Sequence, residues 1–134
     1  MPTRSILLTE DDDTQREIIT DILSASGYAV QAAASGEEAL QKLGAGTFDL
    51  LLTDLRMSGM DGLEVLHQLR ENPATLSLPV AVFTSSKDEE DLLKSRKLHA
   101  SAFVRKPVNG EEFLRAVGSL GLFWGICHRS GGQT

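Results

Sequence analysis

The stretch FDLLLTD, residues 48–54, joins a nearly unbroken apolar run to a carboxylate at its end. Its three consecutive leucines leave no polar face, a pattern typical of a strand that is covered on both sides, as in a parallel sheet. Asp54 stands at the carboxyl end of this strand, the edge at which open parallel sheets bind their ligands. The stretch therefore predicts an α/β fold with a functional site at the carboxyl end of this strand.

Strand-like and helix-like segments alternate on both sides of this stretch. The capping-box spacings Ser35/Glu38 and Ser86/Glu89 mark two helix starts. Five strand–helix repeats with right-handed crossovers predict a doubly wound five-stranded parallel sheet between layers of helices. The predicted strands are 5–9, 28–32, 48–53, 79–84 and 101–105, and the predicted helices are about 13–26, 35–44, 61–71, 88–98 and 109–120.

Length and composition limit the classes of function. The chain has 134 residues, of which 41% are hydrophobic, and a formal net charge of −6. These values predict one folded domain and argue against nucleic acid as a partner, since phosphate backbones are bound by clustered Lys and Arg. No apolar run is long enough to span a membrane, and the N-terminus does not resemble a secretory signal. With Cys127 as the single cysteine, we expect a reducing, cytoplasmic location.

Charged and hydroxyl side chains follow four of the five predicted strands. Glu10 and Asp11 follow the first, Asp54 ends the third, Thr84 ends the fourth and Lys106 follows the fifth. A single acid before a helix is more often an N-cap or solvated, which is the role expected for Asp13 (cap) and Asp12 (solvated). Carboxylates held together need a cation, and an oxygen-only set suits Mg²⁺. The sequence thus predicts a magnesium site.

Five short motifs, in order along the chain, together resemble a known family. The chain is similar to the receiver domains of two-component response regulators, the family of the chemotaxis response regulator, over residues 3–120. The resemblance implies a flavodoxin-like (βα)5 three-layer sandwich. The motifs are ILLTEDD (6–12), DLLLTD (49–54), MSGMDG (57–62), FTS (83–85) and VRKP (104–107).

The resemblance implies a role for each residue of the predicted metal site. Asp54 would accept a phosphoryl group from a phosphohistidine. Glu10 and Asp11 would hold Mg²⁺, Asp11 directly and Glu10 through water. Arg56 would contribute its backbone carbonyl to the metal, and its side chain, with that of Ser86, would tune hydrolysis of the acyl phosphate.

Four further positions match the catalytic and switch residues of the family. Thr84 corresponds to the switch hydroxyl and Lys106 to the lysine that pairs with the phosphate. Phe103 corresponds to the switch aromatic residue, although an ordinary apolar role in the core or at the surface is nearly as well supported. The bond before Pro107 is accessible to the cis form, which would direct the stem of Lys106.

The resemblance also implies a biological role. We expect a single-domain regulator, with a receiver domain over 1–121 and a short tail over 122–134. It would take phosphate from a sensor histidine kinase or a phosphotransfer protein and act on a downstream protein, with no enzymatic activity beyond its own phosphorylation and dephosphorylation. A homodimer contact could form through the fourth helix, fifth strand and fifth helix. Residues 72–78 and 84–93 are similar to stand-alone regulators paired with phytochrome-type kinases.

Some positions depart from the family pattern. Glu10 replaces the commoner Asp, Ser58 the commoner Pro, and His99 a frequent Gly.

Three rival functions fit the sequence less well. One rival is a receiver-like interaction module that never turns over phosphate, and a second is an aspartyl-phosphate phosphohydrolase, which would need an acid where Arg56 stands. The third is a flavin binder of the same fold, whose phosphate would be repelled by the acids after the first strand.

Overall fold

A computed structural model describes residues 4–57, 59–60, 62–95, 100 and 102–105. Strands and helices alternate within them, as predicted, and most element ends differ from the prediction by no more than two residues. The predicted fifth helix lies outside the described residues. The elements are β1 (Ser5–Thr9), α1 (Asp13–Ala25), β2 (Ala29–Ala33), α2 (Gly36–Ala45), β3 (Leu50–Asp54), α3 (Gly62–Glu71), β4 (Val80–Thr84), α4 (Lys87–Ser95) and β5 (Ala102–Arg105).

The five strands form one parallel sheet in the order β2-β1-β3-β4-β5. This confirms the predicted flavodoxin-like, doubly wound architecture. The register pairs Thr9 with Thr53 and Asp54 with Phe83, so that β1, β3 and β4 end at the same edge of the sheet. Short connections after these strands therefore start close together, and this edge is where the predicted site falls.

The two faces of the sheet bury separate apolar cores. One core joins Leu52 of β3 and Phe83 of β4 to Leu23 of α1. The other joins Leu51 of β3 to residues of α2, α3 and α4, including Leu93. Because successive strand residues point to opposite faces, an unbroken leucine run supplies both cores at once. The described helices thus cover both faces of the sheet, and no helix among the described residues is long and apolar enough to cross a membrane.

The start of α2 agrees with its predicted cap, and the start of α1 does not. The Ser35 hydroxyl accepts the Glu38 amide at 3.1 Å, and the Glu38 carboxylate accepts the Ala34 amide at 3.0 Å, so this capping box is confirmed. At α1 the cap is Asp12, whose carboxylate accepts the amide of Gln15 at 2.8 Å. Assigning the cap to Asp13 and leaving Asp12 solvated was therefore wrong. The helix begins at Asp13, so the preceding residue holds the extended conformation that a cap requires.

Arg70, near the end of α3, helps to hold the connection between α3 and β4. Arg70 Nη1 donates to the carbonyl oxygens of Leu76 and Leu78, both at 3.0 Å, and of Thr75 at 3.5 Å. Burial lowers the pKa of the Arg70 guanidinium from its ordinary value. The helix itself ends at Glu71, before the predicted Asn72-Pro73 stop. One side chain thus contacts three carbonyl groups of a segment outside helix and strand, and the Thr75 carbonyl also accepts the Leu78 amide at 3.0 Å.

Candidate metal centre

Three carboxylates meet at the carboxyl edge of the sheet. Glu10 and Asp11 follow β1, and Asp54 ends β3, its neighbour in the sheet. One oxygen atom from each carboxylate lies within 4.8 Å of the other two. Glu10 and Asp54 are buried, and Asp11 is half-buried. The structure thus brings together the three acids that the sequence predicted.

Glu10 is fixed in place through its backbone and its side chain. Its amide donates to the Ala33 carbonyl at 3.1 Å, which extends the pairing of β1 with β2 by one residue. Its carbonyl accepts Arg16 Nη1 at 3.0 Å, and its carboxylate accepts the Asp12 amide at 3.2 Å. Arg16 also pairs with Asp13 in the first turn of α1. The start of α1 therefore positions the acid that follows β1.

The arrangement fits a hard divalent cation. Magnesium takes oxygen ligands at about 2.1 Å in octahedral geometry, so two of its ligands stand at most about 4.2 Å apart. The three carboxylate oxygens lie within 4.8 Å of one another, a distance only slightly above that span. Two unit charges at such a separation repel by roughly 3.5 kcal/mol at an effective dielectric constant of about 20, a cost that a bound cation removes. Glu10, Asp11 and Asp54 could therefore hold a metal ion together.

The backbone around Asp54 is closely packed against the start of α3. The amide of Leu55 donates to the Phe83 carbonyl at 3.3 Å, and the amide of Gly62 donates to the Leu55 carbonyl at 2.9 Å. A Cβ atom at Gly62 would lie 2.2 Å from the Asp54 carbonyl oxygen, so no larger residue fits without a shift of the backbone. This requirement was missed by the sequence analysis, in which Gly62 was only part of a loop motif. This close approach limits the position of the Asp54 backbone, and therefore the position of its carboxylate at the edge of the sheet.

Thr84 ends β4 beside Asp54, in the position that the sequence predicted. It is fully buried and stands one residue beyond Phe83, the register partner of Asp54. Its hydroxyl donates to the carboxylate of Glu90, in the first turns of α4, at 3.1 Å. The hydroxyl is thus engaged by α4 in this structure. Sequence reasoning did not find Glu90, since nothing in the spacing of Thr84 and Glu90 distinguishes this contact from an ordinary acid near a helix start.

The side chain of Arg56 also contacts α4. Its Nε lies 2.9 Å from the carboxylate of Glu89, which is 11% exposed, whereas Arg56 itself is 74% exposed. The other oxygen of Glu89 accepts the Ser85 amide at 2.7 Å, while the Ser86 hydroxyl accepts the Glu89 amide at 3.3 Å. The predicted Ser86/Glu89 capping box is therefore confirmed. Glu89 also forms an ion pair with Arg56 beside the site, a contact that the sequence did not reveal.

The structure describes only some of the remaining predicted residues. Phe103 lies in β5 among residues of the second core, half-buried, with the ammonium of Lys94 5.8 Å from its ring centroid. Lys106 and Pro107 lie outside the described residues, so the predicted phosphate-pairing lysine and the cis peptide bond stay predictions. The same holds for Ser58 and His99. His67 is exposed on α3, with its Nε2 3.4 Å from the Glu71 carboxylate.

Comparisons with known proteins agree with this geometry. The family model of the response regulator receiver domain matches residues 6–118. The transcriptional regulatory protein AfsQ1 of Streptomyces coelicolor is 37% identical over 106 residues, which cover 79% of this chain and 46% of that protein. The chain thus spans about half the length of this curated relative.

Solved structures show the same fold over most of the chain. The bacteriophytochrome response regulator AtBRR is 35% identical with a TM-score of 0.79, covering 92% of this chain and 96% of that one. The chemotaxis response regulator CheY4 of Vibrio cholerae is 26% identical with a TM-score of 0.81, covering 88% and 98% of the two chains. Fold, acidic edge and sequence motifs together define a two-component signalling module. The chain belongs to the family of response regulator receiver domains.

Proposed function

We propose that this receiver domain accepts a phosphoryl group on Asp54 from a sensor histidine kinase or a phosphotransfer protein, in a reaction that depends on Mg²⁺. The observation that carries the proposal is the meeting of Glu10, Asp11 and Asp54 at one edge of the sheet. Asp54 has the central place because it ends the middle strand, with β1 on one side and β4 on the other. A nucleophile there is within reach of the acids after β1 and the hydroxyl that ends β4.

The transfer needs positioning and charge neutralisation more than acid–base chemistry. An oxygen of the Asp54 carboxylate attacks the phosphorus in line with the phosphohistidine nitrogen. The P–N bond breaks as the new O–P bond forms, and the imidazole leaves on the donor protein. A bound magnesium ion supplies positive charge to the phosphoryl oxygens, and Glu10, Asp11, Asp54 and the Arg56 carbonyl are the groups proposed to hold it.

The residues beside Asp54 then respond to the added charge. The phosphoryl group brings a charge of about −1.5 to −2 and three acceptor oxygens. The Thr84 hydroxyl is proposed to donate to one of these oxygens, and Lys106 to pair with another. Phe103 would change its packing as the β4–α4 connection moves. A partner protein would detect the altered surface of α4 and β5, so the signal is a shift between two populations of one fold.

Hydrolysis returns the domain to its first state. A water molecule attacks the phosphorus of the acyl phosphate in line with the Asp54 oxygen, which leaves as the carboxylate while inorganic phosphate is released. The exposed Arg56 side chain, together with Ser86, is proposed to set the rate of this hydrolysis. The domain would have no enzymatic activity beyond these two reactions on itself.

The likeness to AtBRR, a bacteriophytochrome response regulator, supports a phytochrome-type kinase as the phosphoryl donor. The similarity of this chain to AtBRR extends over nearly the whole length of both. The test is phosphoryl transfer from such a kinase, labelled on its histidine, compared with transfer from a kinase of unrelated sensor type. Faster transfer from the phytochrome-type donor supports the assignment, and equal rates would contradict it.

The phosphoryl-acceptor assignment is tested with a small phosphodonor. The protein is incubated with acetyl phosphate, with and without Mg²⁺, and the mass increase of one phosphoryl group is measured. We expect modification only with the metal, and none in Asp54→Asn. Asp21→Asn, which removes an exposed carboxylate of α1, is the matched control and should be modified at the wild-type rate. Equal modification of Asp54→Asn would exclude Asp54, and no modification of the wild type would favour the rival interaction module.

A further inference from the structure

We propose that Glu90 is a positioning residue that competes with the phosphoryl group for the hydroxyl of Thr84. Thr84 Oγ1 donates to the Glu90 carboxylate at 3.1 Å, from a residue that is fully buried at the end of β4. The inference rests on the proposed acceptance of phosphate at Asp54 and adds to it a residue that opposes the switch.

The competition follows from the chemistry of a hydroxyl group. Threonine carries one hydroxyl proton and can donate one hydrogen bond at a time. A carboxylate and a phosphoryl oxygen are both charged acceptors with no proton to offer in return. Thr84 therefore cannot serve Glu90 and a phosphoryl group together, and binding at Asp54 must break the contact that is present in this structure.

Charge adds to this competition. Glu90 and its neighbour Glu89 both direct carboxylates to the side of α4 that meets the edge of the sheet, where they hold Thr84 and Arg56. Glu89 pairs with Arg56 at 2.9 Å and accepts the Ser85 amide at 2.7 Å. A phosphoryl group on Asp54 would place a second anion near Glu90, and like charges repel. Its arrival is thus opposed both by the hydrogen bond and by the charge of Glu90.

The hydrogen bonding and burial at the start of α4 would allow this helix to move. Its first helical hydrogen bond, from the Glu90 amide to the Ser86 carbonyl, is 3.5 Å long, whereas the equivalent bonds that start α1 and α2 are 2.9 and 3.0 Å. Among its described residues, only Leu93 and Glu89 are buried. The hydrogen bond to Thr84 is one of the contacts by which this helix is joined to the end of β4. Its loss would couple events at Asp54 to the position of α4.

The experiment measures the affinity of the protein for beryllium fluoride, a mimic of the phosphoryl group, by calorimetric titration at constant Mg²⁺. We expect Glu90→Ala to tighten binding about threefold to tenfold. Glu90→Gln keeps the shape and a neutral acceptor oxygen, and should give a smaller gain. Asp91→Ala removes the same charge from the next residue, which is exposed and pairs with Lys87, and should change the affinity less than twofold.

A double-mutant cycle separates the hydrogen bond from the charge. The Thr84→Val variant has no hydroxyl that Glu90 could hold. In this variant, Glu90→Ala should therefore tighten the binding of beryllium fluoride by less than half as much as it does in the wild type. Equal tightening in both backgrounds, or none in the wild type, would overturn the competition. Thermal unfolding of each variant, measured alongside, confirms that it is folded at the temperature of titration. Failure of the wild type to bind beryllium fluoride would instead contradict the proposed function itself.

Discussion

The backbone of Gly62 is in such close contact with Asp54 that one added methyl group would lie 2.2 Å from the Asp54 carbonyl oxygen and 2.9 Å from Leu55 Cα. Real Cβ atoms do not approach other heavy atoms so closely, and neither neighbour is a flexible side-chain end. The first residue of α3 therefore limits where the end of β3 can stand. Stability and the geometry of the acceptor site depend on the same glycine.

We expect Gly62→Ala to lower the free energy of unfolding by about 1–3 kcal/mol, the usual cost of forcing extra volume into a packed site. It should also slow the reaction of Asp54 with acetyl phosphate, because the end of β3 must move. The control is Gly44→Ala in α2, where a Cβ meets nothing within 4 Å. Alanine should there raise stability by about 0.5–1 kcal/mol. Urea unfolding measures both, and equal effects of the two changes would disprove the argument.

The acidic cluster predicts a metal-dependent gain in stability. A ligand that binds only the folded state stabilises it in proportion to the logarithm of its concentration over the dissociation constant. Mg²⁺ at 100 times its dissociation constant should add about 2.7 kcal/mol, seen as a rise in the midpoint of thermal unfolding. Asp11→Asn should abolish most of this rise, and Asp21→Asn should leave it unchanged. A full rise in Asp11→Asn would exclude Asp11 as a ligand.

Arg56 is predicted to act on the metal through its backbone alone. Arg56→Ala keeps the carbonyl, so the affinity for Mg²⁺ in calorimetric titration should remain within threefold of the wild type. The lost ion pair with Glu89 should cost no more than about 1 kcal/mol, because the Arg56 side chain is 74% exposed. A tenfold weaker affinity for the metal would show that the side chain is required. The rate of dephosphorylation, in contrast, is expected to change.

Arg70 is predicted to contribute strongly to stability away from the site. Arg70→Met keeps most of the apolar stem but removes this donor from the carbonyls of Leu76 and Leu78, which should cost about 1–3 kcal/mol. The surface change Lys42→Met should alter stability by less than about 1 kcal/mol.

The effect of Arg70→Met should be independent of pH near neutrality. Burial lowers the pKa of Arg70, so the cost of keeping it charged is present at every pH below the folded-state value. Arginine titrates far above neutrality, and that cost is therefore constant between pH 6 and pH 8. A stability difference between wild type and Arg70→Met that varies over this range would contradict this account.

Much of the fold was predictable because its signals are local. The run Leu50–Leu52 is typical of a strand buried on both faces, and Ser35 with Glu38 marks a helix start within four residues. The convergence of Glu10, Asp11 and Asp54 followed from one further rule, that parallel strands end at a common edge. Even the misassigned cap at α1 was an error of a single residue among consecutive acids.

The sequence by itself determined the class of fold, the edge of the sheet that carries the site and the acids that meet there, since repeating apolar patterns and strand ends are written in neighbouring residues. Only the tertiary structure decided which other side chains contact the residues of the site. The contacts of Thr84 with Glu90 and Arg56 with Glu89, and the approach of Gly62 to Asp54, join different elements. Their partners depend on the angles and distances at which helices pack on the sheet, and no spacing along the chain encodes these.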